Sequence, residues 1–246
     1  MQISGSRKHG AVQPLFAREA QRFSTSPGSL GAVSSPSPDN DPLGSDDLAL
    51  NRPGSTVRAK SVEIKRAHPV LVFILRVLNV HSDEHAWRRG AEGEEEVAYQ
   101  LRKLGDGWRV IHSVPVGTGD TDIDHVVIGP PGVFSLNTKN HLGKRVTVNA
   151  KAVYVNGTFH PYVAKSQVEG ERAATLLTAA TGRDVAVRPV IVIMASELRI
   201  KGSPDGVSVV GRKRITKWLT AQPATLGRED ADAIYEVARR RTTWVG

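Results

Sequence analysis

Between Gly117 and Asn140 the chain reads GTGDTDIDHVVIGPPGVFSLNTKN, and this stretch gathers residue types that could do chemistry. Two strand-like runs, Asp122 to Gly129 and Gly132 to Lys139, are joined by the turn sequence GPPG. A connection from Gly129 to Gly132 sets Ile128 opposite Val133. Counting outward, Asp124 faces Asn137 and Asp122 faces Lys139, so these four side chains share one face of the sheet. Ile123, His125, Val127, Phe134, Leu136 and Thr138 are expected on the other face. Two carboxylates, an amide and an ammonium suit phosphodiester hydrolysis. Carboxylate oxygens hold Mg²⁺ or Mn²⁺, which neutralises a phosphate and activates water, and a nearby Lys orients that water or stabilises the developing anion. The same residues also fit a surface ion pair, Asp122 with Lys139, beside an exposed Asp124. Taken alone, they leave both readings open.

A second carboxylate source lies upstream. In GAEGEEEVAYQL, Glu94 precedes Val97, Ala98 and Leu101 at helical spacing and so lies on the apolar, core-facing stripe, whereas Glu92, Glu95 and Glu96 fall elsewhere. An inward carboxylate needs a partner, here a metal, a Lys such as Lys139, or backbone amides. Gly90 and Gly93 would let this helix approach the sheet.

The elements that must position these groups follow from periodicity. A helix is expected from Glu84 to Leu104 and a strand from Trp108 to Val116. After the hairpin come short strands at Arg145 to Asn149, Ala152 to Asn156 and Thr158 to His160, then a helix from Tyr162 to Ala180. Arg188 to Met194 is apolar at consecutive positions, as in a strand covered on both faces, and Val207 to Val210 supplies another strand. Lys213 to Leu219 and Glu229 to Arg241 are expected as helices. Residues 1–60, crowded with Ser, Pro and Gly, read as a disordered tail. Residues 61–83 hold HPVLVFILRVLNVH, too short for a membrane span and interrupted by Arg76, and read as a packing or interface helix. Residues 84–246 form the folded domain.

Composition narrows the chemistry. The 246 residues contain no cysteine, which excludes thiolate nucleophiles, disulfides and Cys-ligated metals. Of the net charge of +8, +6 belongs to residues 61–246. Arg199, Lys201, Arg212, Lys213, Arg214 and Lys217 flank the late strands and, with Arg239, Arg240 and Arg241, offer phosphate contacts. No GxxxxGK[ST] loop is present, Ser135 and Ser166 lack a base at hand, and His112 and His141 follow no metal-ligand spacing. His125 reads as a packed or hydrogen-bonded histidine. There is no signal-peptide run, and a cytoplasmic location is expected.

GAEGEEEV, then TDIDHVVIGPPGVFSLNTKN, then an apolar helix carrying Gln167 resembles the nuclease-related domain, or NERD domain, whose fold is similar to the PD-(D/E)XK nuclease superfamily. The resemblance spans about Arg89 to Leu219. It implies Glu94 as the helix acid, Asp124 as the metal-binding Asp, Lys139 as the Lys, and Gln167 as the polar residue on the following helix. Where the pattern asks for an acid two residues before Lys139, this chain has Asn137, whose amide oxygen can ligate a cation but brings no negative charge. Asp122 is a candidate to restore that charge. The expectation is therefore an α/β fold of restriction-endonuclease type, a mixed sheet flanked by helices. Its expected function is phosphodiester hydrolysis with Mg²⁺ or Mn²⁺ on nucleic acid, DNA ahead of RNA, without a small-molecule cofactor. Asp124, Asn137 and Asp122 would hold the metal, with Glu94, Lys139 and Gln167 acting beside it. The rival is a nucleic-acid-binding or adaptor module that keeps the fold without turnover. A third reading places Val70 to Val80 against a membrane surface.

Overall fold

The structure is a computed structural model that describes residues 46–54, 82–117 and 122–245. The apolar segment HPVLVFILRVLNVH lies outside the described residues, as does the tail up to residue 45.

Seven strands form one mixed sheet. Strand β1 (Arg109–Pro115) pairs antiparallel with β2 (Asp122–Gly129), and β2 with β3 (Gly132–Val148). The other side of β3 takes β6 (Val187–Ile200) in parallel, and β6 takes β7 (Ser208–Gly211), also in parallel. A ribbon of β4 (Val153–Val155) and β5 (Thr158–His160) attaches to the far half of β3. The hairpin register is the expected one: Ile128 pairs with Val133 and His125 with Leu136. Its tip is pinned by the amides of Thr225 and Leu226, which donate to the Pro130 carbonyl at 2.8 and 2.9 Å.

Four α-helices among the described residues cover the sheet: α1 (Ser82–Leu101), α2 (Tyr162–Thr181), α3 (Ile215–Thr220) and α4 (Arg228–Ala238). Val97 and Leu101 of α1 and Ile215 and Leu219 of α3 pack with Val127, Phe134, Leu136, Val190 and Val192. Ala173 and Leu177 of α2 and Ala231 and Ile234 of α4 pack with Ile111, Val126, Ile128 and Val133. Alternate residues of β2 and β3 thus enter separate apolar clusters on the two faces, each fully buried aliphatic side chain contributing about 1.5–3 kcal/mol. Among the described residues no helix is long and apolar enough to cross a membrane.

Four expectations need correction. The strand expected at Arg145 to Asn149 is the continuation of β3, since both halves pair with β6 across a bulge between His141 and Arg145, where Gly143 adopts φ +82°. That pairing extends β6 to Ile200, beyond the expected end at Met194. Helix α1 ends at Leu101, the chain tightening into a turn in which the Leu104 amide donates to the Leu101 carbonyl. The tail expected over residues 1–60 is interrupted by a packed segment: Leu48 is 1% exposed, its amide donates to the Arg239 carbonyl at 2.7 Å, and Asp47 pairs with Arg239. Arg239 therefore holds this segment, and it also lies 3.6 Å from Glu236.

Candidate active site

Strands β2 and β3 run paired as far as His125 and Leu136 and then part. In the fork, the Asp124 carboxylate takes the place of the next ladder bond, its Oδ2 accepting the Thr138 amide at 2.5 Å. On β1 the position across from Asp124 is Ser113, which adopts φ +48°, and the regular alternation breaks here. Ile123 consequently packs in the cluster of Val126, Ile128 and Val133 rather than on the face of Val127 and Phe134, correcting its expected placement.

Helix α1 brings Glu94 to the fork. Ala91, Glu94, Val97, Ala98 and Leu101 are all buried, the spacing of one helical face, and Glu94 is 6% exposed. Gly93 permits the approach, since a Cβ there would lie 3.1 Å from Asn140 Cβ and 3.3 Å from Thr138 Cγ2. Gly90 does not serve this purpose, for a Cβ at that position meets open space. The partner of Glu94 is a backbone amide: Gly54 donates to Oε2 at 2.9 Å.

On the other side, the Lys139 ammonium donates to Asn137 Oδ1 and lies 5.3 Å from the centre of the Tyr162 ring of α2. Asn137 Nδ2 in turn donates to Glu169 Oε2 at 2.8 Å. Gln167 is turned elsewhere, donating to the Asp205 carbonyl at 2.9 Å, which fixes the loop before β7. Glu169, two positions on, takes the place near Lys139 that Gln167 was expected to fill. It borders the buried stripe of Val163, Ser166, Gly170, Ala173 and Leu177, and that position was the sequence signal for it.

The electrostatics link these groups. Burial, then repulsion from Asp124 and Asp122, pushes the Glu94 carboxyl up to about 8 against the pull of the Gly54 amide and Lys139. Burial also raises Asp124, opposed by Lys139 and the Thr138 amide, and raises Glu169, opposed by Asn137 and Lys139. The fork thus holds carboxyl groups that resist ionising together, a deficit that a hard dication relieves. Carboxylate and amide oxygens are the ligand types such an ion prefers. Among the described residues no group of three or more His, Cys, Asp or Glu forms a cage for a metal.

The Lys139 row continues to basic residues. Lys139 pairs with Ile193, and Ile193 with Gly211, two strand spacings or about 10 Å away. Arg212, Lys213 and Arg214 follow at once and, with Leu142, Ile193 and Ala195, line a cleft of about 510 Å³. Arg212 is committed to Glu96 of α1.

His125 is fully buried and its Nδ1 lies 2.8 Å from His112 Nδ1, so it is the packed, hydrogen-bonded histidine expected.

The family model of the nuclease-related domain, NERD, matches residues 89–194, a span that contains Glu94, the fork, the ribbon, all of α2 and the first part of β6. An uncharacterized protein of Bacillus anthracis is 38% identical over 96 residues, which are 37% of this chain and 45% of that protein. The chain thus spans less than half the length of that relative. No solved structure matches the chain. The forked hairpin and the inward helix acid both lie inside the span that matches the nuclease-related domain, whereas β7 and the end of β6 lie beyond it.

Proposed function

We propose that this protein is a metal-dependent phosphodiesterase acting on nucleic acid, with DNA ahead of RNA as substrate. The observation that carries the reading is the meeting at one fork of Asp124, Lys139 and the buried Glu94, whose charges act on one another. Asp124, Asn137 Oδ1 and Asp122 are the residues that would hold Mg²⁺ or Mn²⁺. Such an ion, when bound, supplies charge neutralisation at the phosphate and a more acidic water.

The chain's own groups account for the rest. Lys139, held on the Asn137 oxygen and beside the Tyr162 ring, presents its ammonium to phosphoryl oxygens as negative charge builds there. Glu94, with its carboxyl raised to about 8, is poised to exchange a proton near neutral pH. Lys213 and Arg214 bind flanking phosphates along the cleft that begins in the Lys139 row. Gln167 orders the loop before β7 through the Asp205 carbonyl.

The test is to incubate the full chain with plasmid, linear and single-stranded DNA and with RNA in the presence of Mn²⁺. Cleavage is expected, with a loss of at least about 100-fold in Asp124→Ala and Lys139→Ala. Wild-type turnover no higher than in those variants ends the enzyme reading and leaves the second one, a nucleic-acid-binding module. Asn137 favours that alternative, since it leaves β3 without the acid of the nuclease pattern.

A further inference from the structure

We infer that Glu169 of α2 supplies the negative charge that β3 lacks at Asn137 and is a further carboxylate, beside Asp124 and Asp122, facing a hard divalent cation. This rests on the metal-dependent reading above and assigns its missing acid.

Three observations converge on Glu169. Lys139 can only donate and a carboxylate can only accept, so the amide of Asn137 has one possible orientation, Oδ1 toward Lys139 and Nδ2 toward Glu169. Asn137 therefore acts as a spacer: the acid that would stand at position 137 is displaced outward by the length of one amide and arrives from the helix. Next, the approach of α2 is built into the sequence beside Glu169. Gly170 is buried against Pro189, where a Cβ would lie 3.2 Å from three ring atoms, so glycine lets the helix settle closely at this row of the sheet. Pro189 pairs with Ser135, two positions before Asn137 on β3. Finally, the charge of Glu169 is felt by the groups of the fork, drawn by Lys139 and opposed by Asp124. A half-buried carboxylate whose direct partner is an uncharged amide, with Lys139 and Lys165 acting only at a distance, keeps a desolvation cost that still raises its pKa. Facing a dication together with Asp124, it completes the hard oxygen surface that Asn137 alone leaves short of charge.

The experiment is a calorimetric Mn²⁺ titration of the full chain in four forms besides wild type: Asp124→Asn, Glu169→Gln, the exchange Asn137→Glu with Glu169→Gln, and Glu171→Gln as an exposed neighbour. Glu169→Gln is expected to weaken Mn²⁺ binding by about tenfold or more, the exchange variant to recover to within about threefold, and Glu171→Gln to leave binding unchanged. Equal affinity of wild type and Glu169→Gln overturns the assignment of Glu169 while leaving the metal reading intact. Failure of the exchange variant to recover, when its thermal melt matches wild type, does the same, and that variant keeps the question decidable if Glu169→Gln folds poorly. Absence of Mn²⁺ heat from wild type removes the metal reading and this inference together.

Discussion

The Gly54 amide donates to the Glu94 carboxylate across 40 positions of sequence, so a short segment preceding α1 closes the helix side of the site. Gly54 adopts φ +72°, and its would-be Cβ lies 3.1 Å from Ala91 Cβ and 3.2 Å from Ala91 Cα. Both constraints require glycine.

Gly54→Ala is accordingly expected to destabilise the domain by about 1–3 kcal/mol, since it combines left-handed strain with a contact against helix backbone. Gly90→Ala, in the same helix as Glu94 but with open space around it, is expected to stabilise by about 0.5–1 kcal/mol. Urea denaturation of the two variants checks the opposite signs.

Leu48 anchors the same segment among Ile111, Trp244 and Ala238 in the apolar cluster beneath α4. Leu48→Ala is expected to cost about 2–5 kcal/mol, as expected for a large-to-small change in a filled core. If residues 46–54 were a loosely held tail, the denaturation midpoint would barely move.

Acid sensitivity follows from the pair of His112 and His125. Their rings meet edge to face at 5.0 Å, and one Nδ1 must accept from the other, so at least one ring stays neutral. Burial lowers His125 well below its ordinary value and His112 to about 4. A folded-state pKa below the unfolded value means that the unfolded chain takes up protons first. Stability is therefore intact above about pH 6.5 and falls as the pH drops toward 4, by up to about 1.4 kcal/mol per pH unit for His125. Replacing both residues with Leu removes both partners of the bond together and should flatten the fall in melting temperature between pH 7.5 and 5. Some slope persists, because burial also lowers His141 to about 4. An unchanged slope would assign the acid sensitivity to other groups.

The cleft makes a further prediction about salt. Lys213→Ala and Arg214→Ala should each weaken binding of a DNA oligonucleotide without sequence preference and reduce the slope of log K against log salt by roughly one. Arg239→Ala should leave that slope unchanged, since its guanidinium is taken up by Asp47. Fluorescence anisotropy at several salt concentrations distinguishes these outcomes.

Some of this was legible in the residues and some was not, for physical reasons. The pairing of Ile128 with Val133 followed from turn length and alternation, and the burial of Glu94 from its helical spacing to Val97 and Leu101, because both are local periodicities. Alternation misplaced Ile123, since the twist at Ser113 and the turn of Asp124 toward Thr138 interrupt the pleat. Glu169 was missed because its place beside the buried stripe of α2 shows only that it faces inward, and its meaning comes from Asn137, 32 positions earlier and in a different element. The packing of residues 46–54 was hidden in the same way: Asp47 finds its counter-charge 192 positions later.

That last distance has a consequence for synthesis. Translation proceeds from the N-terminus, so a nascent chain still lacking Arg239 has no guanidinium with which to fasten Asp47, and the segment bearing Gly54 is then held only by its bonds to Glu94 and to Ser113 of β1. The wall that caps the helix acid is thus the first part of the site to be made and the last to be fully fastened, since its outer end waits for the final helix.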